Sequence, residues 1–186
     1  MTPDDILLEA EDKMIKTENV VQHEFGGVRT GKASPALVEN IVVDVYGSQM
    51  RIRELAGITT PEPRMIAIQP WDANSVHAIE KAIQKSNLGI NPTVQGKLIR
   101  LALPELSQER RMELIKVVKK LSEDGRIAIR HVRRDAIELL KKGNKESKIS
   151  DDELETGEKE VQKLTDLYIG KIDAHLAHKE KEILTV

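Results

Sequence analysis

The chain has no cysteine. That absence excludes a disulfide frame, a thiolate-held metal and a cysteine nucleophile. Aromatic residues are nearly missing as well: Phe25, Tyr46, Trp71 and Tyr168 are the whole stock of a 186-residue sequence. Proteins that read single-stranded RNA stack its bases on aromatic rings, so this chain lacks the usual means. No apolar run approaches the ~18 residues of a membrane span. The opening Met1-Thr2-Pro3-Asp4-Asp5 is acidic and leads into no apolar signal core. A net charge of −2 excludes a wholesale polycation but not a local patch. These absences predict a soluble, cytoplasmic, helix-rich protein, long enough for one domain or two small ones.

What is present is unevenly arranged. Residues 1–24 carry seven acids and two lysines, net −5, and residues 150–163 carry six acids and two lysines, net −4. Between them, residues 110–134 carry nine basic and three acidic groups, net +6. Charge segregated in this way along periodic stretches predicts helices with distinct outer faces.

Three helices follow from apolar periodicity. The first opens with Thr2 as cap and Pro3 at its first position, and Asp4 and Asp5 suit its positive end. Its seam is Leu7, Ala10, Met14, Thr17, Val21 and Val28, with Phe25 alongside. Gly26-Gly27 costs about 1 kcal/mol per glycine relative to alanine, so a bend or fraying is expected there. The second helix begins near Ser107, with a seam through Leu114, Val118, Leu121, Gly125, Ala128, Val132 and Leu139. Lys141-Lys142-Gly143 reads as its end. Ser150-Asp151-Asp152-Glu153 reads as a capping box for the third helix, striped by Leu154, Val161, Leu164, Tyr168, Ile172 and Leu176. The last two helices would run roughly 30 residues, about 45 Å each. None can bury its stripe alone, so a long antiparallel or mixed three-helix bundle is expected.

Residues 30–105 follow a different pattern. Ile41–Tyr46, Met50–Leu55, Arg64–Ile68 and Lys97–Leu103 read as strands, and Asp72 caps a helix over about Ala73–Ser86. The fold expected is therefore α+β: a discontinuous bundle of residues 1–29 plus 106–186, interrupted by a small β/α/β sandwich at 30–105. The two crossings, 29–35 and 103–106, are punctuated by Gly31, Pro35 and Pro104. Arg29, Thr30, Gly31, Pro35, Leu103 and Pro104 are the candidate hinge residues.

The strongest chemical pattern lies on the second helix. Arg126, Arg130, Arg133 and Arg134 stand at i, i+4, i+7 and i+8, the first three within about 60° of arc. Lys116 and Lys119 extend that face toward the helix start. Arginine forks match phosphate oxygens, and a row of them tracks a sugar-phosphate backbone. Without aromatics, such a face would hold structured RNA by shape and charge. The plainer reading is a solvated face with partners such as Arg134–Glu138. Four arginines with few interleaved acids in an otherwise acidic chain favour RNA.

Other motifs carry less. Gly26-Gly27-Val28-Arg29-Thr30-Gly31-Lys32-Ala33 fits G-x-x-x-x-G-K but ends in alanine where a phosphate loop needs Ser or Thr, and a helical seam precedes it where a strand belongs. Hinge chemistry accounts better for its glycines. His175 and His178, three apart, read as surface positions rather than metal ligands. Asp151, Asp152, Glu153 and Glu155 read as helix-start charges. No catalytic set assembles, and neither a metal nor a cofactor is expected.

Several stretches together carry a family resemblance. They are Arg29-Thr30-Gly31-Lys32-Ala33-Ser34-Pro35, Ser86-Asn87-Leu88-Gly89-Ile90-Asn91-Pro92, Pro104-Glu105-Leu106-Ser107-Gln108-Glu109-Arg110-Arg111, Arg130-His131-Val132-Arg133-Arg134-Asp135 and Val161-Gln162-Lys163-Leu164-Thr165-Asp166. In this order and nearly end to end, the chain resembles ribosome recycling factors. It departs from the family pattern in Lys32, where arginine is common, in His131, where asparagine is usual, and in Gly26-Gly27 within a helix normally continuous.

The resemblance implies a hinged, L-shaped, two-domain molecule of roughly transfer-RNA dimensions. It implies binding to the ribosome after termination and, with elongation factor G and GTP hydrolysis, separation of the subunits with release of tRNA and mRNA. Large-subunit ribosomal RNA would be held by Arg111, Arg130 and Arg133, with Arg134, Arg126 and Lys119 beside them. The expected partners are thus the ribosome and elongation factor G, with no membrane and no second copy of the chain. A helical adaptor for acidic proteins and a small RNA chaperone remain the alternative readings of the basic face.

Overall fold

In the computed structural model, which describes residues 1–185, the chain runs α1 (Pro3–Gly27), β1 (Val42–Val45), β2 (Ser48–Arg51), α2 (Ile52–Leu55), β3 (Ala56–Glu62), β4 (Met65–Pro70), α3 (Val76–Lys85), β5 (Thr93–Gln95), β6 (Leu98–Ala102), α4 (Gln108–Lys145) and α5 (Asp151–Thr185). Val186, counted above with the bundle, lies outside the described residues. The chain divides into two units, Met1–Arg29 with Glu109–Thr185 and Thr30–Gln108. Among the described residues no helix is long and apolar enough to cross a membrane.

The first unit is built by α1, α4 and α5. Both sequence-readable caps form. Thr2 Oγ1 accepts from the Asp5 N–H at 3.2 Å and the Asp5 carboxylate accepts from the Thr2 N–H at 2.9 Å. Ser150 and Glu153 repeat this reciprocal pair at α5. Tyr168 of α5 bonds Glu11 of α1, and His175 bonds Glu18. Contacts that ascend together mean parallel helices. The α4–α5 pairs descend, Lys119 with Glu180, Arg126 with Asp173 and Lys141 with Glu158, so these two are antiparallel. The bundle is mixed: up, down, up.

Three local expectations are corrected. First, α1 does not bend at Gly26-Gly27; it ends there, and the extended Val28 bonds back to the Phe25 carbonyl. Second, Gly143 does not stop α4. An added Cβ would lie 2.5 Å from Ile149, so this glycine makes room for the loop that folds back over it. The helix runs on to Lys145, and the left-handed residue beyond it is Ser147, at φ 59°. Third, the buried stripe of α4 passes through Ile129, Ala136 and Leu140, leaving Leu139 37% exposed. A 3.6-residue helix drifts about 20° per heptad against a seven-residue repeat, so over 38 residues the core moves off the stripe read from a fixed seam. At the middle of the unit the three helices meet at Gly125, where a Cβ would lie 2.5 Å from Val21 and 3.3 Å from Ile172.

In the second unit a four-stranded antiparallel sheet, in the order β3-β4-β6-β5, packs with α3 and the β1–β2 hairpin around Val43, Ile52, Ile68, Ile79 and Ile99, all fully buried. The hairpin turns on Tyr46 and Gly47, both at positive φ, which matches the right-handed strand twist. The expected strand over 50–55 stops at Arg51. Ile52 and Leu55, three apart, are both buried by one helical turn, which a two-residue alternation could not achieve. The expected helix at 73–86 is a 3-10 turn, Ala73–Ser75, followed by α3. Strands β3 and β5 lie outside the four strands expected from sequence. One contains Pro61 and sits at the sheet edge, where proline is tolerated, and the other has only three residues.

Candidate nucleic-acid interface

The α4 face is where the predicted arginines stand, and their surroundings differ. Arg126 is held twice: its Nη1 donates to Glu123 and its Nε to Asp173 of α5, both at 2.8 Å, leaving the side chain 21% exposed. These hydrogen bonds push its guanidinium pKa up, although burial opposes them. Arg126 therefore fastens α4 to α5 and does not lie free on the surface as expected. Arg133, half-buried, leans the same way, with Nη1 3.4 Å from Gln162 Oε1. Arg111 donates from Nη1 to the Leu184 carbonyl at 3.2 Å, satisfying a backbone acceptor in the last turn of α5.

The outward side belongs to other residues. Arg130 is 44% exposed and pairs with Glu123 at 3.2 Å. Arg134 is exposed and makes no hydrogen bond or ion pair among the described residues. Lys119 is 62% exposed, with its Nζ 4.0 Å from Glu180, so its charge is accessible. Lys116 and Lys120 are exposed. At 100° per residue, Lys116, Lys120, Arg130 and Arg134 lie within about 80° of arc. Lys120 was missed by sequence reasoning. It stands 14 residues before Arg134, close to four full turns, and that spacing was the available signal. Ile127, 42% exposed, sits among these cations, and Glu123 is the carboxylate set within them.

The crossings are fastened to the smaller unit. The Ala33 N–H donates to the Pro63 carbonyl at 2.7 Å, and the Leu103 N–H to the neighbouring Arg64 carbonyl at 2.8 Å. Both passages thus tie to the β3–β4 turn. Arg64 also pairs with Glu105 at 3.6 Å, and Gly31 (φ 77°) lies so near Leu106 that a Cβ would come within 3.1 Å. Pro35 opens a short 3-10 turn capped by Ser34, Thr30 is buried, and Arg29 and Pro104 are exposed.

The remaining candidates play local parts. The glycine-rich stretch at 26–33 follows a helix rather than a strand, so no phosphate loop forms. His178 is exposed, but His175 is half-buried, with Nε2 3.0 Å from Glu18 Oε1 and 3.0 Å from Gln22 Nε2; it helps join α5 to α1. Asp151 accepts from Asn144, and Glu155 pairs with Lys159. An open cleft of about 620 Å³ lies at the bundle end, lined by Thr2, Asp4, Lys148 and Asp152 among others. It is far along the helices from the arginines and more acidic than basic.

Comparison with known proteins agrees over nearly the whole chain. A family model described as Ribosome recycling factor matches residues 21–184. The ribosome-recycling factor of Carboxydothermus hydrogenoformans is 53% identical, with 98% of each chain covered. That of Azorhizobium caulinodans is 52% identical over 89% of each. A solution structure of the ribosome recycling factor aligns at a TM-score of 0.70 and 46% identity, covering 99% of this chain and 98% of its own. Models of the Thermus thermophilus ribosome recycling factor and Escherichia coli elongation factor G bound to the E. coli post-termination complex include a chain that aligns at a TM-score of 0.62 and 42% identity, covering 99% and 100%.

Proposed function

This chain belongs to the ribosome recycling factor family, and from that premise we propose that it acts on the post-termination ribosome with elongation factor G and GTP, separating the subunits and releasing tRNA and mRNA. It is a translation factor and not an enzyme. Its place of action is the cytoplasm, and it works as a single copy.

One observation carries the mechanical reading: a cationic ridge faces outward on a helix of 38 residues whose other charges brace it against its neighbour. Lys116, Lys120, Arg130 and Arg134 supply the phosphate contacts to large-subunit ribosomal RNA, flanked by Lys119 and Arg133. Arg126 and Arg111 keep the ridge straight. The crossings support a pivot displaced toward the bundle. Residues 31–33 and 103–106 are fastened within the smaller unit, so rotation falls on Val28 and Arg29 and on Gln108. The partner GTPase then drives one body while the other stays anchored.

The test is a splitting assay on post-termination ribosomes, with and without elongation factor G and GTP. Splitting is expected only with both, and Arg130→Ala is expected to weaken ribosome binding by about 1.5–3 kcal/mol through loss of a charge-assisted contact. No splitting under any condition, or unaltered affinity of a folded Arg130→Ala protein in low-salt pelleting, contradicts the reading.

A further inference from the structure

The cationic ridge contains a carboxylate that is part of its geometry. Glu123 stands one turn before Arg126 and two before Arg130, and its oxygens divide between them. Oε2 accepts from Arg126 Nη1 at 2.8 Å and Oε1 from Arg130 Nη1 at 3.2 Å. Asp173 holds Arg126 from the other side at 2.8 Å. Charges therefore alternate from α5 along α4 in the order Asp173, Arg126, Glu123, Arg130. Arg126 is the least exposed, at 21%, whereas Asp173, Glu123 and Arg130 are 51%, 48% and 44% exposed. Hydrogen bonds from Arg126 first and Arg130 second hold the Glu123 carboxyl below the usual carboxylate range, so it is fully charged at neutral pH. Arg134, by contrast, has no carboxylate partner among the described residues.

A phosphate arriving at Arg130 meets a guanidinium already engaged on one edge, with a negative charge beside that edge. The fork is oriented before contact, so less side-chain freedom is lost on binding. The free edge accepts a phosphate, while one approaching over Glu123 is repelled. A folded RNA surface can keep its phosphates on the permitted side; an arbitrary RNA sliding along the ridge cannot. Resting on the RNA-interface reading above, we propose that Glu123 is a positioning and selectivity residue: it orients Arg130 for a phosphate of folded ribosomal RNA and keeps the affinity of the ridge for other RNA low.

The experiment measures binding of the full chain to a generic RNA duplex and to large subunits, between 50 and 200 mM salt. Glu123→Gln keeps the side-chain volume and removes the charge. It is expected to bind the duplex about three- to tenfold tighter at 50 mM salt, with a log–log salt slope steeper by about 0.9, as for one more neutralised phosphate. Over that range the extra slope adds about 3.5-fold to the loss of affinity. Large-subunit binding is expected to gain nothing, so at about 50 mM salt the preference for the subunit falls by at least about threefold, and by less at about 200 mM. Asp173→Asn breaks the other tie to Arg126 but spares Glu123, and is expected to lower the melting temperature without moving the duplex slope.

An unchanged duplex affinity and slope in Glu123→Gln, while Arg134→Ala still weakens subunit binding, would overturn the inference and leave the interface reading intact. A slope moved equally by Asp173→Asn would also overturn it, because Arg130 would then not be the group controlled. If Arg134→Ala changes nothing either, the interface reading itself fails and takes the inference with it.

Discussion

The two units of this protein bury apolar surface by opposite means. The bundle uses a few residues on each of three long helices and lets them approach through glycine. Gly125 and Gly157 sit where a Cβ would meet Val21 at 2.5 Å and Leu140 at 3.0 Å. The smaller unit instead gathers β-branched residues from short strands, helices and a loop, with Val38, Val43, Ile52, Ile68, Ile79 and Ile99 all at zero exposure. A long helix with a thin core must be held straight by something else, and here ion pairs such as Arg126–Asp173 do so. A compact sheet needs no such bracing, and its charges are mostly single and exposed. The comparison teaches that some charged residues of the bundle brace one helix against another while others stand free for the recognition proposed above, and that only the partners of each side chain separate them.

The sharpest way to break this comparison is to cut each core separately. Leu140→Ala should destabilise the bundle by about 2–5 kcal/mol and Ile68→Ala the smaller unit by a similar amount. Hydrogen exchange at the buried β4 and β6 amides reports on the smaller unit, while helical circular dichroism reports mainly on the bundle. Each substitution is expected to shift one denaturation transition and spare the other. Coincident shifts in both probes would mean that the units do not fold as separate cores.

A smaller effect is expected from Gly125→Ala. The new methyl must displace Val21, at a cost of about 1–3 kcal/mol typical of overpacking. An unchanged melting temperature would show that the helices are not in tight contact there.

Bracing and recognition separate in the next pair. Arg126→Ala should lower bundle stability by about 0.5–1 kcal/mol, within the range of partly exposed ion pairs, and should change RNA binding little. Arg134→Ala should leave the melting temperature in place and weaken ribosome binding. Thermal melts beside pelleting assays check both, and an exchange of the two outcomes would reverse the assigned roles.

The smallest effect concerns acid. Glu123 in the bundle and Asp72 in the smaller unit are both depressed, the first by Arg126 and Arg130, the second by the Tyr46 hydroxyl and the Asn74 N–H. A carboxyl depressed on folding contributes stability above its unfolded value, 4.5 for Glu and 3.8 for Asp, and loses it as pH falls through the lower folded value. Glu123→Gln and Asp72→Asn should each flatten the acid limb of stability below about pH 5 in the unit that carries them. A limb as steep as in the parent chain would remove that carboxylate from the account.

Much of this was legible in the residues, for reasons that are local. The Thr2 cap and the capping box at Ser150-Glu153 need only a four-residue spacing, and the α4 arginines need only helical periodicity. What was illegible depends on partners distant in the chain. Nothing near Arg126 announces Asp173, 47 residues away, and nothing near Arg111 announces the Leu184 carbonyl. Gly143 carries a helix-end signal that Ile149 overrides by packing on it. Strands β3 and β5 were hidden because each is short of alternation and borrows its identity from a neighbour. Lys120 is a milder case: four residues after Lys116 and fourteen before Arg134, it shares their side of the helix by periodicity alone.

The central claim is that the outward ridge of α4, and not its braced flank, holds ribosomal RNA. The most direct measurement is the salt dependence of large-subunit binding for Arg134→Ala and Arg126→Ala against the parent chain. The account predicts that Arg134→Ala lowers the log–log slope by about 1, the signature of one lost phosphate contact, and that Arg126→Ala leaves the slope unchanged. A slope lowered by Arg126→Ala and untouched by Arg134→Ala would contradict it.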